Sequence, residues 1–224
     1  MQNVGAYGQE VSQVIARVRT YDRWLLHEAD LAPAYRWHRR FLEHLQSADP
    51  APQWLLKSPA HLWHLDALAA EYPDAVIVQT HRDPLKVITS VSALSAHLRR
   101  MASDDVDLRE ISADYAEDIL CGLDRGMDAR ARGVIPADRI VDVHFLDFVA
   151  DPIATIRAVY AALGRELDDR TEQRMRTFLA EHPGDGGGGG TRYRFADTGL
   201  EAGPLRERAA EYQEAMQVAS EPLV

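Results

Sequence analysis

Ala75-Val-Ile-Val-Gln-Thr80, followed at once by His81-Arg82-Asp83-Pro84, is the stretch on which the fold turns. Val76, Ile77, Val78 and Thr80 are β-branched, and such side chains favour extended backbone. Asp83 before Pro84 has the form of a helix start. The carboxylate can cap the first free N–H groups, and proline suits a first position that needs no N–H. The pattern predicts a strand over 75–80, a cation at its end, and a helix from about Leu85 to Arg100.

The same rhythm extends in both directions. Upstream, Trp54-Leu55-Leu56 is a short apolar run that reads as a second, buried strand, closed by Lys57-Ser58-Pro59. His61 to Tyr72 reads as an amphipathic helix, and Pro73-Asp74 turns the chain. Downstream, Leu108 to Arg132 is helical and Ile140 to Phe145 is a third strand. Asp151-Pro152 opens a helix through Leu163, Thr171 to Glu181 forms another, and Pro204 to Val218 is the last. Before the strands, Gln9–Glu28 and Ala34–Gln46 carry apolar residues near a 3.6 period. Six of the seven residues Gly184 to Gly190 are glycine, and that run is expected to be a flexible loop. The chain is therefore expected to be one α/β domain over 1–224, three layers around a parallel sheet. It divides into a helical lead-in (1–50), an α/β core (54–165), a glycine-rich segment (184–200) and a final helix (204–218).

Ligands of parallel sheets gather at the carboxyl ends of strands and at helix N-termini. Lys57 and Arg82 both fall at such points, so an anionic ligand at one sheet edge is expected. Arg82 can grip a phosphate with two parallel hydrogen bonds, or pair with a carboxylate. The hydroxyls of Thr89 and Ser90 lie on the helix that follows. Lys57 can bring a point charge to a transferring group. His61, four residues on, can serve as a base or simply stand satisfied at a helix start. Of 25 basic residues only Lys57 and Lys86 are lysine. Under such an arginine bias, a retained lysine hints at a site that wants a compact ammonium.

Composition sets the limits. The chain has 224 residues, 46% of them apolar, and a net charge of −10. That suits one soluble domain and argues against broad nucleic-acid binding, which needs a basic face. No apolar run reaches the roughly 18 residues of a membrane span, and Met1–Glu10 has no leader pattern. No transmembrane segment and a cytoplasmic location are expected. Cys121 stands alone, so neither an internal disulfide nor a cysteine zinc site can form. His61 and His64 are three apart, but no third ligand has convincing spacing, and no metal is expected. The glycine run lacks a Walker ending, and no Gly-x-Ser-x-Gly elbow occurs. Thr191-Arg192-Tyr193-Arg194-Phe195 could close over a nucleotide or remain a solvated loop.

Taken together, these segments carry a resemblance. Trp54-Leu-Leu-Lys-Ser-Pro-Ala-His61, Tyr72-Pro-Asp-Ala75 and Thr80-His-Arg-Asp-Pro84 through Ser90 resemble the sulfotransferases that use 3′-phosphoadenosine-5′-phosphosulfate (PAPS), the bacterial branch above all. Val143-His-Phe-Leu-Asp-Phe-Val-Ala-Asp-Pro152, Arg192-Tyr193 with Asp197-Thr-Gly-Leu200, and Ala34-Tyr-Arg-Trp-His-Arg-Arg40 are similar to further segments of that branch. The resemblance implies a P-loop-like fold and PAPS as sulfuryl donor. It implies Arg82 and Ser90 on the 3′-phosphate, Lys57 at the sulfuryl group, and Arg192 and Tyr193 in a loop closing over the nucleotide. It implies a small-molecule or lipid hydroxyl as acceptor.

Three positions depart from the pattern. Pro59 stands where many relatives have histidine, which leaves His61 as the nearest base. Thr191 stands where the bacterial branch often has another histidine. Nothing between Met1 and Trp54 resembles the strand and glycine-rich loop that cradle the phosphosulfate. The fold is thus expected to be N-terminally incomplete, with a second copy or a partner segment covering the gap. Two other readings stay open. One is a catalytically impaired relative acting as a binding or structural protein; the other is a nucleotide-dependent phosphotransferase.

Overall fold

Residues 77–81 and 140–144 pair in parallel, and everything that concerns function is arranged around their carboxyl ends. The computed structural model describes residues 18–50, 52–182 and 193–223. In chain order the elements are α1 (Arg19–His27), α2 (Ala32–Ala48), a 3-10 helix (Pro59–His64), α3 (Leu65–Glu71), β1 (Ile77–His81), α4 (Pro84–Arg100) and α5 (Leu108–Ala131). After a short 3-10 turn (Ala137–Arg139) come β2 (Ile140–His144), α6 (Phe145–Ala150), α7 (Pro152–Ala162) and α8 (Asp169–Glu181). A 3-10 turn (Phe195–Thr198) and α9 (Ala202–Ala215) complete the description. No helix among the described residues is long and apolar enough to cross a membrane.

The strand–cation–helix reading of residues 75–100 holds in order, with the strand at Ile77–His81 instead of 75–80. Ile77 pairs with Ile140 and His81 with His144. Parallel pairing demands a long crossover, and α4 and α5 supply it. Asp83 caps α4 by accepting from the Leu85 N–H at 2.9 Å, with Pro84 in the first turn. Asp151 repeats the device for α7, accepting from Ala154 N–H at 2.9 Å ahead of Pro152.

Trp54–Leu56 is not a strand. Among the described residues the sheet has two strands, and none of them offers this segment a ladder. Its side chains stand out in solvent, Leu55 being 93% exposed. Lys57 therefore follows a segment without regular secondary structure and does not end a sheet strand. An apolar triplet is compatible with extended backbone, but a strand exists only where a neighbour completes its hydrogen bonds. Two smaller differences are local. Residues 59–64 wind as a 3-10 helix before α3 begins, with Ser58 Oγ accepting from Ala60 N–H at 3.3 Å. Residues 145–150 form a short helix directly after β2. The glycine run Gly184–Gly190, residues 1–17 and Arg192 lie outside the described residues.

Three groups of buried side chains hold the helices. Leu25, Leu31, Tyr35, Leu65 and Leu68 join α1, α2 and α3. Ile88, Ala116, Leu120 and Ala209 join α4, α5 and α9. Ala96, Ile111 and Tyr115 close the far end of the α4–α5 pair. Helix α5 also lies hard against the 3-10 helix. A Cβ built on Gly122 would come within 2.4 Å of the Trp63 ring, whose indole N–H donates to Asp118 O at 3.2 Å. Gly122→Ala would ordinarily gain about 1 kcal/mol of helix propensity. Here the ring must move, and overpacking costs about 1–3 kcal/mol. The variant is expected to lose stability, read as a lower urea midpoint. A raised midpoint would mean that the ring yields freely.

Candidate functional site

The carboxyl ends of β1 and β2 bring His81, Arg82 and Asp83 beside His144 and Phe145. His81 and His144, partners in register, stack with ring centroids 5.4 Å apart. The pocket there is lined by Arg82, His144, Phe145, Asp147, Gln217 and Glu221, among others.

A chain of polar side chains fixes His81, which lines this pocket. Arg130 grips Asp142 with two hydrogen bonds, at 2.6 and 2.8 Å, and also donates to Gln79 Oε1 at 3.0 Å. Those Arg130 hydrogen bonds hold the Asp142 carboxyl down at about 2. Asp142 is therefore an acceptor only, and His81 must donate to it from Nε2, at 2.8 Å. His81 Nδ1 then accepts from the Tyr212 hydroxyl at 2.9 Å. Burial keeps both partners neutral, pulling the imidazole's pKa down and pushing the Tyr212 phenol up to about 12. His144 is oriented separately, its Nε2–H donating to Met216 O at 2.8 Å.

Arg82 points along the rim. Its Nε and Nη2 donate to the two carboxylate oxygens of Glu221 at 2.9 and 3.0 Å, a side-on bidentate pair. Its guanidinium carbon lies 3.9 Å from the centroid of the Phe145 ring, so the fork is held flat by a cation–π contact. Tyr193 lies within electrostatic reach of the same guanidinium. This arrangement is a built anion seat: it already holds two oxygens of a planar acid in the geometry that a phosphate would use.

Asp83 secures the base of the seat. Its side chain is 0% exposed and receives both Arg206 N–H groups at 2.6 and 2.7 Å. It also receives the Leu85 and Glu221 backbone N–H groups at 2.9 and 2.7 Å. Burial alone would raise its pKa, but the Arg206 fork and the two backbone donors outweigh burial and hold it low.

The expected site residues fall into two groups. Tyr193, far from Arg82 in sequence, lies within electrostatic reach of it. Ser90 is half-buried on α4 and does not line the pocket. Lys57 and His61 belong to the segment that enters the 3-10 helix. Lys57 is exposed, and His61 Nδ1 is 2.8 Å from the Tyr35 hydroxyl. Sequence reasoning did not single out His81, Asp142, Arg130, Tyr212 or Glu221. The matching histidines at the two strand ends were a usable signal for His81 and His144. Glu221 carried none.

The sequence profile of the sulfotransferase family matches residues 4–169. This chain belongs to the sulfotransferase family.

Solved members agree with it in fold. The crystal structure of sulfotransferase STF9 from Mycobacterium avium is 32% identical, with a TM-score of 0.80 over 90% of this chain and 51% of that one. Sulfotransferase STF1 from Mycobacterium tuberculosis H37Rv is 34% identical, with a TM-score of 0.75 over 89% of this chain and 50% of that one. The fold is thus the P-loop-like α/β fold of the sulfotransferases. The omega-hydroxy-beta-dihydromenaquinone-9 sulfotransferase Stf3 of Mycobacterium bovis is 28% identical over 134 residues, 57% of this chain and 33% of that protein. This sulfotransferase-family chain therefore spans about half the length of the solved relatives and a third of that curated one.

Proposed function

We propose that this chain serves sulfuryl transfer from PAPS to a hydroxyl of a small molecule or lipid. The observation that carries the reading is the anion seat of Arg82 at the strand ends, in a chain of this family. A lipid acceptor is supported by the Stf3 relative, whose name specifies a hydroxylated menaquinone.

In this reading Arg82 binds the 3′-phosphate, and Arg192 and Tyr193 serve the same end of the nucleotide. Holding that end restricts the position of the reacting end. Bound there, PAPS supplies an activated sulfuryl group. Lys57 neutralises charge that develops on the oxygen between sulfur and phosphorus as that bond breaks and the acceptor oxygen bonds to sulfur. His61 takes the acceptor's proton. The tautomer that serves as base is the one in which Nδ1–H donates to the Tyr35 oxygen and the lone pair lies on Nε2, and Tyr35, whose pKa burial raises, remains a neutral hydroxyl. The bisphosphate 3′-phosphoadenosine-5′-phosphate is the leaving product.

The test is calorimetric titration of that bisphosphate and of adenosine 5′-phosphate. Arg82→Ala is expected to weaken the bisphosphate by about 10- to 150-fold, as a charge-assisted bond of roughly 1.5–3 kcal/mol requires. Affinity for adenosine 5′-phosphate should stay the same. Equal losses for both ligands would remove Arg82 from phosphate recognition.

A further inference from the structure

The segment that follows α9 returns across the strand ends and delivers a carboxylate to Arg82. It is anchored there by bonds that do not use that carboxylate. Glu221 N–H donates to Asp83 Oδ2 at 2.7 Å, and Arg206 Nη2 reaches Glu221 O at 3.4 Å. Gln213 Nε2 donates to Val218 O at 3.0 Å and to Ser220 Oγ at 3.2 Å. The turn leaving α9 passes through Gln217 at φ +54°, and Val218 N–H closes it onto Gln213 O at 2.8 Å. The Glu221 side chain is 12% exposed.

We propose that Glu221 is the resident occupant of the phosphate seat on Arg82, a built-in competitor that an incoming phosphate must displace and that retakes the seat when the phosphate leaves. The inference rests on the reading of Arg82 as the phosphate-binding arginine. The side-on edge of the guanidinium is formed by Nε and Nη2, and Glu221 occupies both donors. A phosphate can reach that edge only when the carboxylate swings away. The anchor at Asp83 keeps the carboxylate close enough to return.

Mass action sets the consequence. A site open for only part of the time binds more weakly by that fraction. A nucleotide lacking the 3′-phosphate asks nothing of Arg82 and is not penalised. Glu221 thus narrows the preference of the site for phosphorylated nucleotide. It would also hasten departure of the bisphosphate product, the step that limits many enzymes.

Glu221→Gln keeps the shape and removes the charge; Glu221→Ala removes the competitor altogether. Both are measured with 3′-phosphoadenosine-5′-phosphate and with adenosine 5′-phosphate, beside the parent chain and Arg82→Ala. Affinity for the bisphosphate should rise by up to about five-fold, the range for a partly exposed ion pair. Affinity for adenosine 5′-phosphate should not change. A merely structural role for Glu221 would weaken both ligands. An unchanged or weaker bisphosphate affinity in both Glu221 variants, with Arg82→Ala still losing it selectively, overturns the competitor and leaves the reading of Arg82 standing. No selective loss in Arg82→Ala, or no binding of the bisphosphate by any of these chains, overturns both.

Discussion

Asp83→Ala is expected to lower the unfolding free energy by about 3–5 kcal/mol, the cost of breaking one side of a buried ion pair. Asp83 satisfies four donors from three parts of the chain: Arg206 twice, Leu85 N–H and Glu221 N–H. Removing it strands the Arg206 guanidinium, which is 24% exposed, against α4. It also leaves the first turn of α4 uncapped, a further loss of about 1 kcal/mol. Asp83→Asn should lose less, because its amide oxygen can still cap Leu85 N–H. Urea unfolding followed by circular dichroism reads both variants. A loss below about 1 kcal/mol for Asp83→Ala would mean that water replaces the carboxylate and that the group is not the structural keystone described above. Because Asp83 also holds the Glu221 backbone, the variant should loosen the segment after α9.

Lys57→Ala is expected to lower sulfuryl transfer by about 100-fold or more, the scale seen when one preorganised charge or donor is removed from a developing anion. Lys57→Arg should not restore it. A guanidinium is planar and longer and spreads its charge, whereas the proposed role needs a compact ammonium at one point. The side chain is exposed and lies outside the buried core, so neither substitution should disturb folding. That separates a catalytic loss from a structural one: rates fall while the urea midpoint stays. Activity of Lys57→Arg within about threefold of the parent would remove Lys57 from the chemistry.

Local signals carried much of the fold. Val76 to Thr80 with Asp83-Pro84 foretold β1, the cap and α4 because strand preference, capping and proline geometry act within a few residues. Asp151-Pro152 foretold α7 for the same reason. Trp54–Leu56 misled because hydrophobicity speaks for burial only when something covers it, and no described residue does. The segment 145–150, Phe-Leu-Asp-Phe-Val-Ala, offered no cap or period strong enough to separate it from the strand before it.

The site divides along the same line. Lys57, His61, Arg82, Ser90 and Tyr193 were legible as residue types in a family pattern, without any indication of which would meet. Arg82's anion-binding chemistry follows from its guanidinium, whatever its partner. That the partner is Glu221 depends on a path from α9 back over the sheet, stabilised by Asp83 and Arg206 from distant elements. The tautomer of His81 likewise depends on Arg130 holding Asp142 ionised, a relation between α5 and β2. By itself, then, the sequence determined the α/β rhythm, the capped helices and the cations available, because propensity and charge belong to single residues and short windows. Only the tertiary structure decided which strands pair, which carboxylate fills the arginine's fork and which histidine is locked neutral, because hydrogen-bond ladders and buried charge pairs exist only between segments that folding brings together.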